Sequence, residues 1–280
     1  MKPAPFEYRA PRTIEEAIAD LAEVAPLDGR VLAGGQTLVP AMAMRLARPA
    51  HLIDINGVAG FDRLESGEEG VRIGPCVRHA VLGSEAVPGP LGRLLSLARR
   101  HIAHEPIRAR GTFCGSLANA DPAAEWCLVA AALDATMRVR GQRGVRQLTA
   151  GEFLVGYMAT ALEPDELLIE AHLPALAAGT RVGFYEFNRR AGDFAEVMAL
   201  ATYELHDGMI HAPRIAVGAI EARARRLPGA EAALAGQRPD DVGIYRAAEA
   251  AAAEIDSPEE SEDARSLVRS AVSRALASAA

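Results

Sequence analysis

The sequence predicts an α+β chain of two domains. Three observations carry this. A strand–loop–helix–strand order opens the chain, the small-residue segment Ala175–Thr180 interrupts the pattern, and a hairpin followed by helices closes it. A length of 280 residues fits two domains of about 150 residues or fewer. Hydrophobic residues make up 50% and charged residues 24%, a globular composition able to bury a sizeable core.

The elements follow in order. Thr13 with Glu16 three residues on is a capping box, and Ile14, Ala17, Ile18 and Leu21 recur at helical spacing behind it. Val31-Leu32-Ala33 is a short strand halted by Gly34-Gly35, and a second helix is expected over Thr37–Leu46. Leu52–Ile55 reads as a buried strand and Val71–Gly74 as an alternating one. Leu91–His101 has a helical pattern. Pro122–Leu133 is expected to be a buried helix with Pro122 in its first turn, Asp121 being a candidate N-cap. Met137–Arg140 and Leu167–Leu173 are strands, the latter ended by Pro174. Beyond the boundary, Val197–Leu205 and Ile215–Ile220 are strands, with a turn at His206-Asp207-Gly208. Ala230–Ala235, Ile244–Ile255 and Ala264–Ala279 are helical, and Ser257-Pro258-Glu259-Glu260 is expected to start the last helix, accounting for the acidic run Glu259–Asp263.

Several classes are excluded or disfavoured. The net charge of −7 argues against a nucleic-acid partner. No apolar run reaches the roughly 18 residues of a membrane helix, and the start MKPAPFEYRAP lacks a secretory core, so no integral membrane segment and a cytoplasmic location are expected. Cys76, Cys114 and Cys127 form no CxxC pair, and no metal site is expected in this chain. His101 and His104 read as capping or hydrogen-bonding residues, and Trp126, the single tryptophan, as core. Lys2 is the only lysine, so no lysine in the body of the chain can anchor a phosphate.

Two segments carry chemistry. Ala33–Pro40, AGGQTLVP, places two glycines between a strand and a helix, where backbone N–H groups can face an anion; a plain tight turn is the alternative. Ile107–Glu125 gathers Gly111, Thr112, Gly115, Ser116, Asn119 and Asp121 in a short stretch. It reads either as a polar ligand wall or as a Gly-rich loop capping the next helix.

Together these segments resemble the flavin-binding subunit of the molybdenum hydroxylases, the xanthine dehydrogenase and carbon monoxide dehydrogenase family. Ala33–Pro40 matches the family's first loop throughout, and Ile107–Pro122 matches its second with one departure. The likeness continues through His51–Ile55, Ile73-Gly74, Pro164–Leu168 and Arg189–Ala195. It implies a two-subdomain FAD-binding domain of the PCMH, vanillyl-alcohol-oxidase-like type over residues 1–176, with subdomains of about 1–57 and 58–176, then a smaller α+β domain over 177–280.

Carried over by position, Leu32, Ala33, Gly34, Gly35, Gln36, Thr37, Leu38 and Val39 would wrap the FAD pyrophosphate. Gly111, Thr112, Gly115 and Ser116 would form the second wall, and Ile102 would pack on the cofactor. Asp121 and Glu125 occupy the stretch that offers a carboxylate to the nucleotide side, and Ile169 with Leu168 would pack on a ring face. The resemblance further implies electron transfer with no catalytic residue in this chain, a large molybdopterin subunit, a small subunit with 2Fe–2S clusters and a dimer of heterotrimers. The substrate, oxidised on the large subunit, would be an N-heterocycle, carbon monoxide or an aldehyde. A self-sufficient flavoenzyme and a nucleotide-binding assembly protein are the competing readings. Two departures stand out. Cys114 replaces a glycine, which matters if that position needs positive φ, and reads as a buried filler or as a thiol near the flavin. Tyr185, in Phe184–Phe187, stands where a lysine is often found and is either a hydrogen-bond substitute or a core strand residue.

Overall fold

In a computed structural model, which describes residues 2–255 and 262–279, the chain forms three packed layers. The first contains strand β1 (Glu7–Arg9), helix α1 (Ile14–Val24), β2 (Gly29–Leu32), α2 (Leu38–Ala43) and β3 (His51–Asp54). Its strands are parallel in the order β1-β3-β2. The capping box forms: the Thr13 hydroxyl accepts from the Glu16 N–H at 3.2 Å, and Glu16 accepts from the Thr13 N–H at 3.1 Å. Helix α2 is shorter than the sequence suggests, because Arg45 turns to φ 59° and the Leu46 N–H returns to the Ala41 carbonyl.

The second layer begins with β4 (Leu64–Gly67) and β5 (Gly70–Ile73). Helices α3 (Gly89–Arg99), α4 (Glu105–Arg108), α5 (Phe113–Asn119) and α6 (Glu125–Ala132) follow. It is completed by β6 (Thr136–Gly141), β7 (Gly144–Thr149), α7 (Ala150–Phe153), β8 (Leu154–Gly156), β9 (Ala159–Thr160) and β10 (Leu167–Pro174). Its main sheet is antiparallel in the order β4-β5-β10-β6-β7. Strand alternation sends Val71, Ile73, Met137, Val139 and Leu168 into one core with α3, α5 and α6.

Helix α6 starts three residues later than expected. Pro122 lies outside it, its carbonyl accepting the Ala219 N–H at 2.8 Å, and Asp121 accepts from the Ala123 N–H in a turn of its own. The glycine-rich segment before it is not a loop. Thr112 caps α5, and the small residues Gly115 and Ser116 let that helix pack closely.

The third layer is an antiparallel sheet of β11 (Arg181–Phe187), β12 (Val197–His206), β13 (Met209–Gly218) and β14 (Arg225–Arg226). Helices α8 (Pro228–Leu234), α9 (Asp241–Ala253) and α10 (Glu262–Ala279) cover one face. The other face sends Phe184, Met198, Leu200 and Ala216 into the core of the second layer. Strand β12 is therefore buried on both sides, which is why it reads as a nearly unbroken apolar run. Asp207 and Gly208 both take positive φ in the hairpin turn. Strand β13 starts six residues before the sequence-based expectation. A register shift opposite Thr202/Glu204, with Ala212 at φ 46°, accommodates Pro213 inside the strand. The expected cap at Ser257–Glu260 lies outside the described residues.

Candidate functional site: two glycine loops in contact

The first loop leaves β2 at Leu32, which is paired in register with Asp54 of β3. Gly34 is buried, and a Cβ there would lie 2.5 Å from the Arg110 carbonyl oxygen and 2.6 Å from Gly111 Cα. Gly35 turns at φ 72°, and the Gln36 side-chain amide donates to the Gly34 carbonyl at 2.9 Å. The Val39 N–H closes onto the Gly35 carbonyl. The N–H groups of Gly35, Gln36, Thr37 and Leu38 have no acceptor among the described residues. Thr37 and Val39 are exposed.

The second loop meets the first directly. Buried Thr112 accepts from the Gly115 N–H at 3.1 Å, and Ala33 Cβ lies 3.7 Å from where a side chain at Gly115 would begin. Ser116 continues the same helical turn, its N–H on the Thr112 carbonyl. The structure thus sets Ala33 and Gly34 of the first loop against Arg110, Gly111 and Gly115 of the second, with Thr112 and Ser116 in the same turn of the second. Cys114 lies inside α5, outside the positive-φ region, with its Sγ 3.5 Å from the Ile73 carbonyl. The glycine that it replaces is therefore not needed for its backbone freedom, and burial pushes the thiol up.

A polar chain that no motif announces fastens the two loops. Asn56 donates to the Ala33 carbonyl at 2.8 Å. Arg78 donates to the Asn56 side-chain Oδ1 at 2.5 Å and to the Arg110 backbone carbonyl. Asp54 orients Asn56 and accepts from the Tyr8 hydroxyl at 2.6 Å. The only sequence signal was the Asp-x-Asn spacing at residues 54–56, which favours a local side-chain turn.

The other predicted residues lie apart from this junction. Ile102 is in the second-layer core, its carbonyl held by Arg108 at 2.8 Å. Leu168 points into the same core, whereas Ile169 faces the opposite side and lines a cleft of about 410 Å³ with Ile14, Phe61 and Gly74. Tyr185 faces the C-terminal helices under the Arg274 guanidinium, 5.1 Å from its ring. It is not brought to the loops, because its neighbours Phe184 and Glu186 occupy the face of β11 turned toward them.

Glu125 and Glu186 form a second feature. The Glu186 side chain is 1% exposed; Asn188 donates to Oε1 at 3.0 Å, and Oε2 sits 3.9 Å from His101 Nδ1 without a hydrogen bond. The His101 ring rests on Phe184 at 5.2 Å. Burial pushes Glu186 up to about 7, and burial together with Glu186 pushes Glu125 up to about 8. Burial lowers His101 as well.

This geometry tests a dinucleotide directly. A pyrophosphate needs backbone donors at close range with no side chain in between, and here Gly34 is followed by four unengaged N–H groups, those of Gly35 to Leu38, with no lysine nearby in the sequence. The fold and the loop pair define a candidate dinucleotide-binding protein. Comparison narrows this. The family model described as the FAD-binding domain in molybdopterin dehydrogenase matches residues 4–176, and that of the CO dehydrogenase flavoprotein C-terminal domain matches residues 183–279. The nicotine 6-hydroxylase medium subunit of Paenarthrobacter nicotinovorans is 40% identical over 90% of this chain and 88% of its own length. The structure of carbon monoxide dehydrogenase from Hydrogenophaga pseudoflava superposes with a TM-score of 0.92 at 33% identity, over 100% of this chain and 98% of that one. Quinoline 2-oxidoreductase from Pseudomonas putida 86 superposes at 0.89 with 34% identity and the same coverage. The chain belongs to the family of FAD-binding medium subunits of the molybdenum hydroxylases. No described helix is long and apolar enough to cross a membrane, and no group of three or more metal-binding side chains occurs among the described residues.

Proposed function

We propose that this chain is the FAD-carrying electron-transfer subunit of a cytoplasmic, heterotrimeric molybdenum hydroxylase assembled as a dimer of heterotrimers. The junction of the two glycine loops is the observation that carries this reading. Bound FAD would supply the redox chemistry that links 2Fe–2S clusters of a small partner subunit to an external acceptor. Residues 1–176 hold the cofactor and residues 177–280 form the smaller domain. Leu32–Val39 present backbone donors to the pyrophosphate, and Gly111, Thr112, Gly115 and Ser116 close the opposite wall. Ile169 provides apolar surface in the cleft beside the first layer and Asp121 and Glu125 provide carboxylates, while Ile102 and Leu168 back the cofactor domain from its core and Tyr185, on the far face of β11, takes no part. The substrate class is an aromatic N-heterocycle oxidised on the large molybdopterin subunit, as the names of the nicotine and quinoline enzymes suggest.

The test is purification from the native host through a tag on this chain, with absorbance and metal analysis. Flavin bands with co-purifying iron and molybdenum are expected. Flavin without either metal would overturn the heterotrimer in favour of a self-sufficient flavoenzyme, and the absence of flavin would sink both. Turnover of carbon monoxide or an aldehyde, but no N-heterocycle, would overturn the substrate class alone.

A further inference from the structure

His79 is buried beside the second loop and has no part in the reading so far. The Trp126 indole Nε1 donates to His79 Nδ1 at 2.8 Å. An indole N–H can only donate, so Nδ1 carries no proton and the imidazole is neutral with its hydrogen on Nε2. That Nε2 edge fills the space a side chain at Gly111 would need: a Cβ there would lie 2.5 Å from Nε2 and 2.7 Å from Cδ2. The backbone adds two further ties. The His79 N–H donates to the Gly111 carbonyl at 2.9 Å, and the Phe113 N–H donates to the Val77 carbonyl at 3.1 Å. Phe113 packs on the far side of Trp126, ring centroids 5.2 Å apart. The indole, the imidazole and the Gly111 turn are thus stacked between α6 and the first loop.

We propose that His79, held by Trp126 as the Nε2–H tautomer, is a positioning residue that sets the Gly111–Thr112 turn against Gly34 and so controls cofactor affinity. This rests on the FAD reading given above. Protonation at Nδ1 would set an N–H against the indole N–H and add a third positive charge beside Arg78 of the same segment and Arg108 of α4. Burial, reinforced by those two guanidiniums, already holds His79 down to about 4. Without the indole donor, Nδ1 is free to take a proton at higher pH.

The experiment compares the full chain with Trp126→Phe and His79→Asn, each loaded with FAD. Each is titrated from about pH 7.5 down to about pH 4, with released flavin read by fluorescence. Wild type is expected to keep FAD until near pH 4. Trp126→Phe is expected to release it about one pH unit or more higher, toward the ordinary imidazole range. His79→Asn keeps an acceptor for Trp126 but no titrating ring, and is expected to lose this acid release step. Trp126 emission of the FAD-free chain, which a protonated His79 quenches, is expected to fall over the wild-type window and to stay flat in His79→Asn. Identical release profiles in all three proteins would overturn the role given to His79. Failure of the wild-type chain to take up FAD at neutral pH would overturn the FAD reading, leaving the emission titration as a separate check of the His79–Trp126 pair.

Discussion

Gly34 is legible in the sequence as half of a Gly-Gly pair, but its purpose is visible only in the fold. Its φ lies outside the positive region, and what requires glycine there is the Arg110–Gly111 backbone packed against its Cα. Gly34→Ala should therefore push the loops apart, costing about 1–3 kcal/mol and weakening FAD binding at least tenfold or so, whereas Gly151→Ala, in open space, should change neither. Equal FAD affinity in the two variants, measured by flavin fluorescence, would refute the close-approach argument. Arg78 and His79 were not legible, because each acts on a segment more than twenty residues away and carries no local pattern; Asn56 showed only its Asx turn with Asp54, and nothing local pointed to its bond with Ala33. Glu186 makes a pH-dependent prediction. Its folded value of about 7 lies above the ordinary carboxylate value of 4.5, so the stabilisation is complete below about pH 4.5 and lost as pH rises through 7. Glu186→Gln should be more stable than wild type by on the order of 2–3 kcal/mol at about pH 8.5, and show no advantage near pH 4.5. A constant difference in melting temperature across that range would contradict the assignment.

Among the elements, those with a cap, a turn dipeptide or a clean period were readable from sequence. Helix α1 has its capping box, and the β12–β13 hairpin has its Asp-Gly turn. Strand β12 was readable for another reason, since apolar residues on both faces leave no other interpretation of its run. The misreadings share a cause, tertiary contacts overriding local signals. Pro122 looks like a helix start yet its carbonyl is drawn off to the Ala219 N–H just beyond β13, and Pro213 looks like a strand breaker yet sits in a bulge. Helix α5 was hidden because glycine and serine favour loops, although here they let a short helix sit against the first loop. Helix α10 offers the matching test of close packing. Its Ala271, Ala275 and Leu276 dock on β11 so tightly that a Cβ at Gly183 would meet the Ala275 carbonyl oxygen at 2.0 Å. Gly183→Ala should cost about 3 kcal/mol in denaturant unfolding, against almost nothing for Gly179→Ala, which meets no atom. Similar midpoints for the two would mean that α10 can shift without penalty.

At the scale of the whole molecule, the third sheet decides how the parts depend on each other. Its inner face completes the core of the second layer through Phe184, Met198, Leu200 and Ala216. Polar ties cross the same boundary: Arg226 and Arg214 reach Asp134 at 2.5 and 3.5 Å, and Arg223 donates to the Gly151 and Leu154 carbonyls at 2.9 Å. Removing the C-terminal layer would uncover apolar surface directly behind α3 and α6, the helices that support the second loop. Cofactor binding at the loop junction should therefore stabilise all three layers together. At a hundredfold excess of FAD over its dissociation constant the gain is about 2.7 kcal/mol, or roughly 5 °C for a chain of this size. Trp126 emission reports the second layer and far-ultraviolet circular dichroism reports all three, so both should show one coincident transition that moves upward with FAD. A second transition that ignores FAD would show instead that the layer of α8, α9 and α10 folds by itself, and the buried inner face of β11 and β12 would then have to be satisfied by something other than the FAD domain.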